Sequence, residues 1–261
     1  MKRLLPLGLC LTLLGGCAHD GLQIDRSHPS QNQNSRVQYI VLHYTSTNLA
    51  NSLHLLTEGD VSAHYLIGAQ PPTVYQLVGE DRRAWHAGQS EWQGRTWLNA
   101  STIGIELVNE GYRQTGHGLE WEPFDEGQIN ALIPLLKDLV KRHGLPMGSI
   151  IGHSDIAPQR KVDPGPLFPW KRLADAGLVP WPDDRAVAEE QVRFATALPT
   201  VDWFQMQLER QGYAVPRNGQ LDEATRNVIA AFQIKYRPSR YDGQPDAETA
   251  ALLLVLNRGA R

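Results

Sequence analysis

Cysteine is nearly absent: two residues in 261, Cys10 and Cys17. Two thiols cannot build a disulfide scaffold or a four-thiolate zinc site. Net charge is small, formally −3, so no global basic field marks a nucleic-acid binder. No apolar run reaches the roughly 20 residues that span a bilayer. Gly 23 and Pro 17 are too few and too scattered for a low-complexity chain. What remains is an ordinary globular mixture, 41% hydrophobic and 20% charged, long enough for about two domains. Nine histidines tilt any metal site toward imidazole and carboxylate ligands.

Residues 1–16, MKRLLPLGLCLTLLGG, join Lys2 and Arg3 to a short apolar stretch, the layout of a secretory signal peptide. Leu14-Gly15-Gly16-Cys17 resembles a bacterial lipobox. That resemblance implies lipidation of Cys17, and Ala18 after it resembles outer-membrane sorting. More than one acyl chain gives stable attachment. The expected setting is the outer membrane of a Gram-negative bacterium, with the chain facing the periplasm. Residues 17–35 are a lipidated Cys and a polar tether, too poor in large apolar groups to bury a core.

A first domain is expected over 36–182. Val37 to Tyr44 is apolar at nearly every position, as in a strand buried on both faces. Asn48 caps a short helix over Leu49–Leu56. Ala63–Ile67, Thr73–Val78, Ile103–Val108 and Ser149–His153 read as further strands. Asp125 and Gln128 form a capping box for a helix reaching His143, with an apolar stripe from Ile129 to Val140 and Pro134 inside it. Strands mixed with helices predict an α/β fold: a mixed central β-sheet flanked by helices. Residues 183–199 read as a linker that becomes helical. Residues 200–261 hold a small three-helix domain with a near repeat at a spacing of 24. The two copies are Gly219-Gln220-Leu221-Asp222-Glu223-Ala224-Thr225 and Gly243-Gln244-Pro245-Asp246-Ala247-Glu248-Thr249. Each sets a turn Gly before an Asp N-cap.

The chemistry concentrates between His153 and Gly165, a loop that carries His153, Lys161 and Asp163 between prolines. His43 ends a buried strand, where imidazole needs a partner. Two His and one Asp match a catalytic zinc site with one open position. Glu106 interrupts an otherwise apolar strand, where a carboxylate is costly unless it is paired or functional. It can act as a general base, and Lys161 can place a cation over a developing oxyanion.

Five segments in order, Val41 to Thr45, Val61 to Tyr65, Ala84 to Gly88, Ile103 to Glu106 and His153 to Gly165, resemble one family. It is that of the zinc-dependent N-acetylmuramoyl-L-alanine amidases of the AmpD/AmiD type, relatives of peptidoglycan recognition proteins and phage T7 lysozyme. The resemblance covers about 37–173. It implies one zinc ion per chain held by His43, His153 and Asp163, with Glu106 as base and Lys161 as oxyanion stabiliser. It also implies substrate contacts from His64, Trp85, His86 and Asn99. The C-terminal unit resembles a type-1 peptidoglycan-binding module, carried by Gln207-Leu208, Gly212-Tyr213, Thr225 and Ala231-Phe232-Gln233. The implied reaction cuts the amide between muramic acid, ordinary or 1,6-anhydro, and L-alanine. The implied partners are peptidoglycan or muropeptides and the outer membrane, with no nucleic acid or protein partner. One stretch departs from the pattern: Trp97-Leu98-Asn99-Ala100 stands where relatives are expected to carry a basic residue near 97 and Asn-Asp at the end. Two other readings compete, a non-catalytic recognition protein and a zinc peptidase acting within the stem peptide.

Overall fold

The computed structural model describes residues 22–116 and 118–259. The leader 1–16, Cys17 and His117 lie outside the described residues. Residues 22–34 belong to a separate unit of exposed coil and bends, in which the Asp25 carboxylate accepts from the Ser27 N–H at 2.8 Å. The described residues from Ser35 on form one compact unit.

That unit begins with strand β1 (Tyr39–Tyr44) and helix α1 (Leu49–Glu58), the latter capped by the Asn48 side chain. Strands β2 (Tyr65–Ile67), β3 (Val74–Gln76) and β4 (Thr102–Leu107) follow, with a 3-10 turn at Leu98–Ala100 before β4. A hairpin, β5 (Tyr112–Thr115) and β6 (Gly118–Trp121), precedes the long helix α2 (Glu126–His143). Strand β7 (Ile150–Gly152) runs directly into the short helix α3 (His153–Ile156), and α4 (Trp170–Asp175) follows. The chain ends in α5 (Asp184–Thr196), α6 (Val201–Gln211), α7 (Glu223–Tyr236) and α8 (Ala247–Gly259).

The main sheet has the order β3-β2-β4-β1-β7. β3 is antiparallel to β2, and the other pairings are parallel. The expected mixed sheet flanked by helices is therefore what forms. Side chains alternate across β1. Ile40 and Leu42 pack with Ile129, Leu132, Leu136 and Leu139 of α2. Val41 faces the other way and shares a core with Ile151 of β7 and with Phe204, Phe232 and Leu253 of the C-terminal helices. The core of α6–α8 is thus continuous with the second face of the sheet. The segment expected to link the two parts is mostly helix α5, capped by Asp183. It lies against α8, with Glu190 paired to Arg258 at 2.8 Å.

Some local readings change: β2 and β3 are shorter than expected, Tyr65–Ile67 and Val74–Gln76. β1 begins at Tyr39 rather than Val37, and His153 opens a helix instead of closing a strand. The capping box at α2 is only half made. Asp125 accepts from the N–H groups of Gly127 and Gln128, but the Gln128 amide reaches out to the carbonyls of Ile67 and Val108. It ties the helix start to the sheet, and these two carbonyls satisfy the buried amide nitrogen.

The sequence repeat is a structural repeat. Gln205 Oε1 accepts from the Gly219 N–H while its Nε2 donates to Thr225 Oγ1, at 2.9 Å each. Gln233 does the same with Gly243 at 2.9 Å and Thr249 at 3.0 Å. Asp222 and Asp246 cap the N–H groups of Thr225 and Thr249. Each turn Gly has positive φ, 68° and 71°, which a residue without Cβ adopts freely.

Candidate active site

The parallel register of β1 and β4 sets His43 opposite Glu106. β7 on the other side of β1 delivers His153 at its end. These strand ends and the loop 160–163 line a cleft of about 460 Å³. His43, His153 and Asp163 are all buried and converge. His43 Nδ1 lies 2.9 Å from His153 Nδ1 and 3.2 Å from Asp163 Oδ2, and His153 Nδ1 lies 3.0 Å from the same oxygen.

The hydrogen-bond network decides which nitrogens carry protons. Thr102 Oγ1 gives its one proton to the Leu98 carbonyl at 2.7 Å. It must therefore accept from His86 Nε2 at 3.0 Å. Neutral His86 then presents a lone pair at Nδ1 and accepts from His43 Nε2 at 3.0 Å. This leaves a lone pair on His43 Nδ1. Burial, with His153 second, pushes the His43 pKa down to about 4, so the ring is neutral. His153 Nε2 lies 3.3 Å from the Ala87 carbonyl and 3.4 Å from the Arg160 guanidinium; with its proton on Nε2, toward the carbonyl, the ring leaves a lone pair on Nδ1. Two lone pairs and a carboxylate oxygen thus meet within about 3 Å with no donor among them. Such a set repels itself unless a cation sits between. Tetrahedral zinc, with ligand bonds of about 2.0–2.2 Å, asks for this donor spacing and chemistry. The group can bind a metal.

Glu106 is half-buried and lines the same cleft. Its Oε2 is shielded from solvent and has no hydrogen-bond partner. Burial first, then the Asp163 charge, pushes its pKa up to about 8, while Lys161 opposes the shift. Lys161 is exposed on the cleft wall and makes no ion pair among the described residues. Trp85, half exposed, lines the cleft, with the Arg83 guanidinium 4.0 Å over its ring.

The other three expected substrate contacts, His64, His86 and Asn99, each make hydrogen bonds within the protein. His64 is fully buried and does not line the cleft. It accepts from the Gly104 N–H and donates to the Arg82 carbonyl, pinning β2 and the loop after β3 to β4. His86 edges the cleft, but both its nitrogens are committed to His43 and Thr102. Its ring lies so close over β4 that a Cβ at Gly104 would approach it to 2.4 Å. Asn99 spends its side-chain oxygen on the N–H groups of His86 and Ala87. His64 thus supports the site from behind, while His86 lines the cleft and Asn99 lines a neighbouring cavity that shares Trp85 with it. Sequence reasoning missed Tyr112 and Arg160 on the cleft wall, and it missed Thr102, whose signal is a lone hydroxyl next to an apolar strand run.

A mixed sheet carrying two imidazoles, a carboxylate and a second, unpartnered carboxylate at its strand ends has the make-up of a zinc hydrolase. The family model for N-acetylmuramoyl-L-alanine amidase matches residues 33–166, and the chain belongs to that family. A putative peptidoglycan binding domain matches residues 198–253. The chain is 41% identical over 271 aligned residues to the N-acetylmuramoyl-L-alanine amidase AmiD of Escherichia coli, covering 98% of each. A solved complex of that Escherichia coli amidase with anhydro-N-acetylmuramic acid-L-Ala-D-gamma-Glu-L-Lys superposes with a TM-score of 0.83 at 38% identity, covering 93% of this chain and 97% of that one. The structure of AmpDh3 from Pseudomonas aeruginosa superposes with a TM-score of 0.84 at 38% identity, covering 92% and 99%.

Proposed function

We propose that the chain hydrolyses the amide between the lactyl group of N-acetylmuramic acid, or its 1,6-anhydro form, and the L-alanine of the stem peptide. The observation that carries this is the convergence of three electron-pair donors with the unpartnered Glu106 carboxylate on one cleft floor. It occurs in a chain alike end to end with a muramoyl-alanine amidase. His43 Nδ1, His153 Nδ1 and Asp163 Oδ2 would hold one zinc ion. Zinc there supplies Lewis acidity toward a carbonyl and a hydrolytic water with a pKa near about 7.

The protein's own groups do the rest. Glu106 Oε2 takes the proton from the attacking water and returns it to the departing L-alanine amine. The Lys161 ammonium faces the negative charge that builds on the carbonyl oxygen. Trp85 offers an aromatic wall to the substrate beside the scissile bond. The reading divides the chain into leader 1–16, lipidated Cys17 with tether to 35, amidase 36–182, linker 183–199 and wall-binding helices 200–261. The family matches at 33–166 and 198–253 support that division. The lipobox sequence supports an outer-membrane anchor facing the periplasm.

The test is mass spectrometry of peptidoglycan digested by residues 18–261, with and without a chelator. Free stem peptide beginning at L-alanine, lost on chelation and restored by zinc, is the expected product. Shortened peptides still attached to muramic acid would make the protein a peptidase. No product from zinc-loaded protein would leave a recognition role.

A further inference from the structure

The turn that carries the metal donors is held from outside its own part of the chain. His153 opens α3, and two residues on lies Asp155, 1% exposed. Asp155 Oδ2 accepts from the Gly152 N–H at 2.8 Å, which fixes the bend that delivers His153. In the same turn the Ser154 N–H donates to the Asp163 carbonyl at 2.8 Å. One turn therefore sets the backbone of two of the three donors. A buried carboxylate cannot stay there without compensation.

Its remaining partners both come from the C-terminal helices. The Tyr213 hydroxyl, just past α6, donates to Oδ1 at 2.6 Å. The Lys235 ammonium, in the last turn of α7, lies 2.8 Å from Oδ2. Both residues are buried, at 3% and 6% exposure. The Lys235 ammonium also stands 4.3 Å over the Trp170 ring, a cation–π contact to the first residue of α4.

We infer that Tyr213 and Lys235 are positioning residues for the metal-dependent reaction, setting the placement of His153 and Asp163 through Asp155. The C-terminal helices then have a second task, independent of any hold on wall polymer. The inference rests on the proposed ligand set. It differs from a purely structural role in one respect: damage at this contact reaches the metal before it reaches the fold.

The experiment compares the full chain with Tyr213→Phe, Lys235→Met and a control, Leu253→Ala, whose side chain is fully buried in α8. The measurements are the thermal midpoint, zinc affinity against a competing chelator, the visible spectrum after cobalt loading, binding to insoluble wall, kcat and KM. Loss of a group that orients a ligand weakens metal binding by about 10- to 100-fold. Tyr213→Phe and Lys235→Met are expected to weaken zinc at least about tenfold, shift the cobalt spectrum and lower kcat, with KM and wall binding unchanged. Leu253→Ala should lower the midpoint and leave zinc affinity and spectrum as they were. Wild-type zinc affinity and spectrum in folded Tyr213→Phe would overturn the inference, even if Lys235→Met fails to fold. So would an equal loss of zinc in Leu253→Ala. A wild-type chain that takes up no zinc, or a His43→Ala variant that takes up as much, would overturn the ligand set itself and the inference with it.

Discussion

Glu106 keeps one carboxylate oxygen away from both solvent and every protein donor, an arrangement that costs stability unless the oxygen has work to do. Glu106→Gln keeps the shape and removes the base. Zinc content should match wild type while kcat falls about 100- to 10,000-fold. The carboxylate acts as a base only when ionised, so wild-type rate should rise with pH along an acid limb that the variant's residual rate lacks. Near-full turnover would remove Glu106 from this role. Behind the metal donors, Thr102 is the far end of the relay that orients His43. Thr102→Val keeps the volume and deletes the acceptor for His86, so zinc affinity should drop by up to about tenfold in chelator competition. An unchanged affinity would show that the relay does not orient the ring. His43 and Glu106 could be read in the sequence because polar groups in apolar surroundings demand a reason, and Asp163 because it shares a proline-bounded loop with His153 and Lys161. Thr102 and Asp155 could not: the partners that define them are up to 80 positions away.

Elements with a full hydrophobic period were legible. α2 shows its stripe and both its stops, and Gly144 adopts the left-handed conformation at its end, with φ 64°. The β5–β6 hairpin was not legible because its residues are exposed or only partly buried, so no apolar alternation marks it. α4 has six residues, of which Trp170 and Leu173 are buried, too few to display a period. In the C-terminal helices the repeated loop was visible, but the glutamines that clasp each loop were not, since nothing local distinguishes a buried Gln from a solvated one. Gln233→Leu strands the Gly243 N–H and removes the Thr249 contact. Urea unfolding should show a loss of about 2–3 kcal/mol. A change below about 0.5 kcal/mol would mean that the clasp carries no weight.

On the scale of the whole chain, the proposed lipid anchor at Cys17 would set location. No helix among the described residues is long and apolar enough to cross a membrane. Cys17→Ser should therefore move the protein from the membrane fraction to the soluble fraction of a Gram-negative host while purified activity stays the same. Persistent membrane association would refute the lipid anchor. The seam between the sheet and α6–α8 was hidden in the sequence because Val41 and Ile151 already satisfy the pattern of buried strands. Their neighbours Phe204 and Phe232 likewise satisfy that of a small helical core.

That seam decides how such enzymes can be rebuilt. A cassette exchange after Pro182, replacing the last helices with another targeting unit, would leave Trp92, Ile151 and Ile156 without the side chains that cover them. The newly bare face would invite self-association. Retargeting this enzyme to another surface therefore means appending a recognition unit after Arg261, with the native helices retained.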